Sequence, residues 1–114
     1  MKNISLKMNK IKLENKYKQL QKELSQIGYI CNGSIMSLYR QCGKPKCGCN
    51  ENPETKHGPY YIWTRKEKGK TITRSLSEER FHQCQQCIEN YKNMERIIEE
   101  MKKISIQIFE QSQQ

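Results

Sequence analysis

No stretch of this 114-residue chain approaches the roughly 20 apolar residues of a bilayer-spanning helix, so no membrane role is expected. Met1 to Met8 alternates polar and apolar residues without an uninterrupted apolar run, and does not read as a signal peptide. A cytoplasmic location, where thiols stay reduced, is the expectation. Apolar material is scarce: 34% of residues are hydrophobic, 29% are charged, and the mean hydropathy is -1.00. A core built from so little is small, and such chains usually add a metal, disulfides or a partner subunit. There is no internal repeat and no low-complexity linker, which predicts a single domain over residues 1–114. Catalytic signatures are missing too. Neither a nucleophile motif nor a phosphate-cradling glycine loop occurs. The zinc-deaminase pattern, H-x-E followed by P-C-x-x-C, is not matched by His57-Gly58-Pro59 or Pro45-Lys46-Cys47. Only Glu51 and Glu54, beside the cysteines, keep an enzymatic option alive, and a non-enzyme is expected.

What the chain does have is cysteine and positive charge. Six cysteines in a reduced compartment point to metal before disulfides. Gln41-Cys42-Gly43-Lys44-Pro45-Lys46-Cys47-Gly48-Cys49 brings three thiols close in sequence, and His57 follows. Gly43 and Pro45 favour a tight turn between Cys42 and Cys47. Cys47 and Cys49, two apart, leave an extended backbone on one side. Three thiolates and an imidazole satisfy a tetrahedral zinc, with four protein ligands closing the site, so the expected cofactor is one structural Zn2+ on Cys42, Cys47, Cys49 and His57. Cys31 is the substitute ligand should His57 not serve. Cys84 and Cys87 form a C-x2-C inside a helical pattern, where they read as packing residues rather than a second metal pair. His82 reads as a surface residue.

The formal charge is +9, unevenly spread. Residues 1–30 contribute +5, residues 40–74 contribute +6 and residues 75–114 contribute -2. The basic middle suits nucleic acid, DNA before RNA, and the expected contacts are Arg40, Lys44, Lys46, Tyr61, Trp63, Arg65, Lys66, Lys68, Lys70 and Arg74. Basic groups would take phosphates, and exposed rings would stack on bases. The alternative for the rings is the buried face of a hairpin. An even connecting loop puts Trp63 on the face of Ile72, whereas an odd one puts it with Thr71 and Thr73.

Three segments follow from periodicity. Residues 6–27 read as a helix with Leu6, Leu13, Tyr17, Leu20, Leu24 and Ile27 in one row, ended by a left-handed Gly28. Residues 78–110 read as a second helix capped by Ser75 or Ser77, its row being Cys87, Tyr91, Met94, Ile98, Met101 and Ile108, with Ser105 the weak position. Residues 29–76 read as the zinc and β unit. Ile35–Tyr39 is a short strand, and Tyr60–Arg65 and Lys70–Leu76 form a hairpin separated by Lys66-Glu67-Lys68-Gly69. The predicted fold is α+β, a zinc-stabilised β-hairpin unit between two antiparallel, coiled-coil-like helices. Their opposite charges should complement each other within or between chains, and a homodimer through the helices is an open variant.

Gly33-Ser34-Ile35, the Cys42–Cys49 run, His57-Gly58-Pro59-Tyr60-Tyr61, Lys70–Arg74 and Ile88–Tyr91 resemble an uncharacterised family of small bacterial proteins, a domain of unknown function often found near mobile-element or phage genes. The resemblance spans roughly residues 17–101. It implies that Cys42, Cys47, Cys49 and His57 act as a set, and it carries no activity. The functional expectation is a zinc-containing nucleic-acid-binding accessory protein of a mobile element or phage. The alternative is a protein-interaction module that docks on or inhibits a larger effector.

Overall fold

The computed structural model describes residues 2–40 and 57–112. Helix α1 spans Lys2–Ser25, strands β1, β2 and β3 span Ser34–Arg40, His57–Glu67 and Lys70–Leu76, and helix α2 spans Glu78–Ser112. The expected α+β class holds: two helices flank, in chain order, a three-stranded antiparallel sheet of order β1-β2-β3. Two compact units can be distinguished. One comprises Met1–Ile30 with Glu89–Gln114, the other Cys31–Ile88. No described helix is long and apolar enough to cross a membrane.

In the helical unit, α1 packs the row the sequence announces from Leu13 to Ile27; the Leu6 side chain lies outside what is described. Leu20 is buried with Ile97 and Ile104, and Leu13, Tyr17, Leu24, Ile27, Met101 and Ile108 close around them. Leu13 lines one hollow with Gln107 and Gln111, while Ile27 lines another with Asn90 and Arg96, so α1 and this part of α2 run antiparallel. The row on α2 differs from the expected one. Ile97, with no accessible surface, and Ile104 at 4% form its centre, whereas Ile98 and Ser105 are only half-buried. Met94, Met101 and Ile108 belong to both rows, and isoleucine at 97 and 104 offers more apolar surface than Ile98 with Ser105. The richer row wins.

The end of α1 also differs. Gly28 does not take the left-handed cap: positive-φ glycines among the described residues are Gly33, Gly58 and Gly69. The last turn instead tightens, with Gln26 N–H donating to Glu23 O at 3.1 Å and Ile27 N–H to Leu24 O at 3.2 Å. Asn90 Nδ2 donates to Tyr29 O at 2.9 Å and holds the exiting chain against α2. The expected charge complement between the helices is not realised as contacts. Among the described residues, ion pairs of this unit stay within α2, Arg96–Glu100 at 3.3 Å and Lys102–Glu99 at 3.9 Å.

In the β unit the hairpin is tighter than expected. Glu67 pairs with Lys70, leaving a two-residue turn, Lys68-Gly69, with φ of 50° and 79°; this is the primed geometry that matches strand twist. The even count settles the face. Trp63 lies opposite Arg74 and Ile35, and Arg65 opposite Ile72, so these residues share one side with Tyr61 and Leu76. Phe81, in the first turns of α2, meets that side through the Tyr61 ring at 4.7 Å between centroids. Of the two caps considered, Ser77 is the one used: its Oγ accepts from Arg80 N–H at 3.1 Å, with Glu78 and Glu79 in the first turn. Little in this unit is fully buried, Ile88 at 9% being the one core residue among those described.

Candidate nucleic-acid interface

Cys42, Lys44, Lys46, Cys47 and Cys49 lie outside the described residues. The residues that flank that segment are described. Arg40 pairs in register with His57, so β1 and β2 meet at the residues where the segment 41–56 leaves and returns. The register shifts between Leu38 and Arg40, and Gly58 fits there because it has no side chain. A Cβ on Gly58 would stand 2.8 Å from Leu38 O and 2.9 Å from the Tyr39 ring, and its φ is 142°. The Gly58-Pro59 bond is cis. The backbone of His57 begins β2, and its side chain lies outside what is described.

The basic residues divide into two groups. Arg40, Lys66, Lys68, Lys70 and Arg74 are exposed. Lys66, Lys68 and Lys70 surround the turn, while Arg40 ends β1 with its guanidinium 4.6 Å from the Tyr60 ring centre. Among the described residues none of these five forms an ion pair. Arg65 is different. Its side chain retains 17% exposure, bonds Glu67 at 3.1 Å and lies 4.3 Å over the Trp63 ring. One of its terminal nitrogens is buried without a partner among the described residues. Arg65 is a packing cation here, and Glu67 neutralises it.

The rings are held as well. Trp63 is half-buried, its Nε1–H donates to Asn32 O at 2.9 Å, and Arg65 covers a ring face. Gly33 makes the indole contact possible: at φ 104° a Cβ would collide with Thr64 O and stand 2.8 Å from Nε1. Tyr61 is half-buried against Phe81, and its hydroxyl pKa is raised by burial, then by Glu78 and Tyr39. Neither ring is presented as a free stacking platform.

Sequence reasoning missed one juxtaposition. Cys31, Cys84 and Cys87 come together although nothing in their spacing links residue 31 to the helix. Cys31 N–H donates to Cys87 O at 3.2 Å, and the Cys31 and Cys84 sulfurs stand 3.9 Å apart. Among the described residues no group of three Cys, His, Asp or Glu side chains could hold a metal. Burial first, then the hydrogen bond to Cys84 and the neighbouring thiols, pushes the Cys31 thiol from 9.0 to about 12. Burial likewise raises Cys84, opposed in part by Cys31 and Arg65. Both thiols are therefore held protonated, as packing groups. A thiol raised in the folded state contributes stability that is fully present below its unfolded value, near 9.0, and lost as pH climbs toward about 12. Melting temperature should therefore fall above about pH 9, and fall less in Cys31→Ala than in the parent. Parallel alkaline curves for the two proteins would contradict the assignment. His82, at the surface, stands 3.9 Å from Glu78.

No curated protein and no solved structure matches the chain. The sequence pattern of a family described as Domain of unknown function (DUF6788) does match, over residues 10–86. The matched span takes in most of α1, the whole sheet, the cysteine segment and the first turns of α2. The chain belongs to the DUF6788 family.

Proposed function

We propose that the chain is a non-enzymatic, zinc-containing module that binds nucleic acid, duplex DNA first, as an accessory protein of a mobile element or phage. The observation that carries the binding is the set of exposed cations without ion pairs among the described residues, Arg40, Lys66, Lys68, Lys70 and Arg74. They are distributed along the sheet, whose longest strand has 11 residues and so spans about 35 Å. Cations spread over that length, Arg74 and Lys70 on one face of the sheet and Lys66 on the other, suit a linear polyanion, with one charge per about 1.7 Å of duplex, better than a small anion. Lys44 and Lys46 would add to these cations, whereas Arg65, Trp63 and Tyr61 would support the strand that carries Lys66 from within.

Cys42, Cys47, Cys49 and His57 would hold the zinc. The donor set suits it, three thiolates with one imidazole, and the ends of the segment are already joined at the Arg40–His57 pair. Bound zinc supplies a rigid cross-link to a unit with little buried apolar surface.

Binding measured against salt tests the reading. If all five cations meet phosphates, log K against log[salt] should slope at about -4.5 on duplex DNA. Replacing Lys66, Lys68 and Lys70 together by Gln should flatten it by about 0.9 per lost contact and leave the melting temperature unchanged. Absence of binding to duplex DNA, single strands or RNA at about 100 mM salt overturns it. A salt-insensitive complex with a protein would then favour the interaction module.

A further inference from the structure

The second helix carries more apolar surface than α1 covers. Ile97, Met101, Ile104 and Ile108 line the side facing α1, and Tyr91, Ile98 and Ser105, each half-buried, form an adjoining row. Next to that row Ile106 is 56% and Phe109 68% exposed. An open apolar hollow lies between them, lined by Tyr17, Ile98, Met101, Ser105, Ile106 and Phe109. Two-stranded coiled coils need only the narrow seam, whereas a stripe one position wider is the pattern of a helix with two neighbours.

We propose that the second neighbour is another copy of this chain, two helical hairpins packing about a twofold axis as a four-helix bundle. Shape supports a self-contact. In a twofold interface the same patch faces itself, so a projecting residue and the hollow that receives it must lie side by side on one chain, as Ile106 lies beside the Tyr17–Ile98 hollow. Charge supports it too. The rim carries Glu14 and Lys18 on α1 and Lys102 on α2, a mixture that a purely acidic or purely basic partner would meet with one repulsion. The same flank turned through a half-rotation offers both signs in return. Beyond the rim, residues 1–30 carry +5 and residues 75–114 carry -2, and among the described residues no α1 lysine is in an ion pair. Setting α1 of one copy against α2 of the other places part of the positive excess beside acidic residues. The inference is independent of nucleic-acid binding.

Sedimentation equilibrium of the full chain, free of nucleic acid, tests it. The expected mass is about twice the 13.6 kDa of the chain at micromolar concentration. Ile106→Glu, at a site exposed in the single chain, should return the mass to 13.6 kDa with unchanged helical circular dichroism. Ser105→Glu, in the hollow, should do the same. A parent protein that stays at 13.6 kDa up to about 100 µM, or variants that remain dimeric, would overturn the proposal.

Discussion

Ile97→Asp should abolish cooperative melting of the helical unit. Ile97 has no accessible surface and packs with Leu20 and Ile104, so a carboxylate there would lie in apolar surroundings without a partner. Burying an uncompensated charge costs about 3–5 kcal/mol, a large share of the 5–15 kcal/mol that holds most domains together. Protonation would relieve the charge but leave a polar group unsatisfied. Ile97→Val gives the graded control, since removing one methylene from a core costs about 0.5–1.5 kcal/mol. Thermal melting followed by circular dichroism would decide the matter. An aspartate variant that melts within a degree or two of the parent would mean that Ile97 does not face α1.

The largest effect should come from the metal. Protein purified without chelator should carry about one zinc per chain, and Cys47→Ser should lose it. Structural zinc contributes about 10–16 kcal/mol of apparent binding free energy in small modules, most of which appears as folding free energy. The β unit has one buried residue among those described, Ile88, so it has little apolar burial with which to replace that contribution. Hydrogen exchange should therefore show lost protection across Tyr60–Leu76 in Cys47→Ser and after chelation. Zinc retained by the variant, or equal protection with and without chelator, would refute a site built on Cys42, Cys47, Cys49 and His57.

Periodicity was sufficient where one row had no rival. On α1, Leu13, Tyr17, Leu20, Leu24 and Ile27 left a single choice, and the structure packs them. On α2, Met94, Met101 and Ile108 fit two rows equally, and four-three spacing alone cannot distinguish them. Counting the apolar area at the positions that differ, Ile97 and Ile104 against Ile98 and Ser105, would have chosen correctly. The strands were legible from their β-branched and aromatic residues, but their ends were not. Lys66 and Glu67 look like loop residues until they are paired across a turn. That pairing set the parity that decides where Trp63 points, so the ring's environment could only be stated as two branches.

The candidate interface was legible in charge and not in availability. Composition gives Arg65 and Lys66 the same weight, yet one lies over an indole and bonds Glu67 while the other faces solvent. The difference comes from strand alternation and from an acid two residues away, neither of which a net charge records. The meeting of Cys31 with Cys84 and Cys87 was beyond local pattern altogether, because it depends on how the chain enters β1.

Trp63, the one tryptophan of the chain, sits in β2 with its indole N–H on Asn32 O and a guanidinium on its ring. Its fluorescence therefore originates wholly within the unit Cys31–Ile88. Most of the ellipticity at 222 nm, by contrast, comes from α1 and the longer part of α2, which belong to the other unit. Nature has supplied each unit with its own optical signal, and no label is needed to observe them separately. Coincident emission and ellipticity curves in urea would identify a single cooperative transition, and curves that separate would identify two.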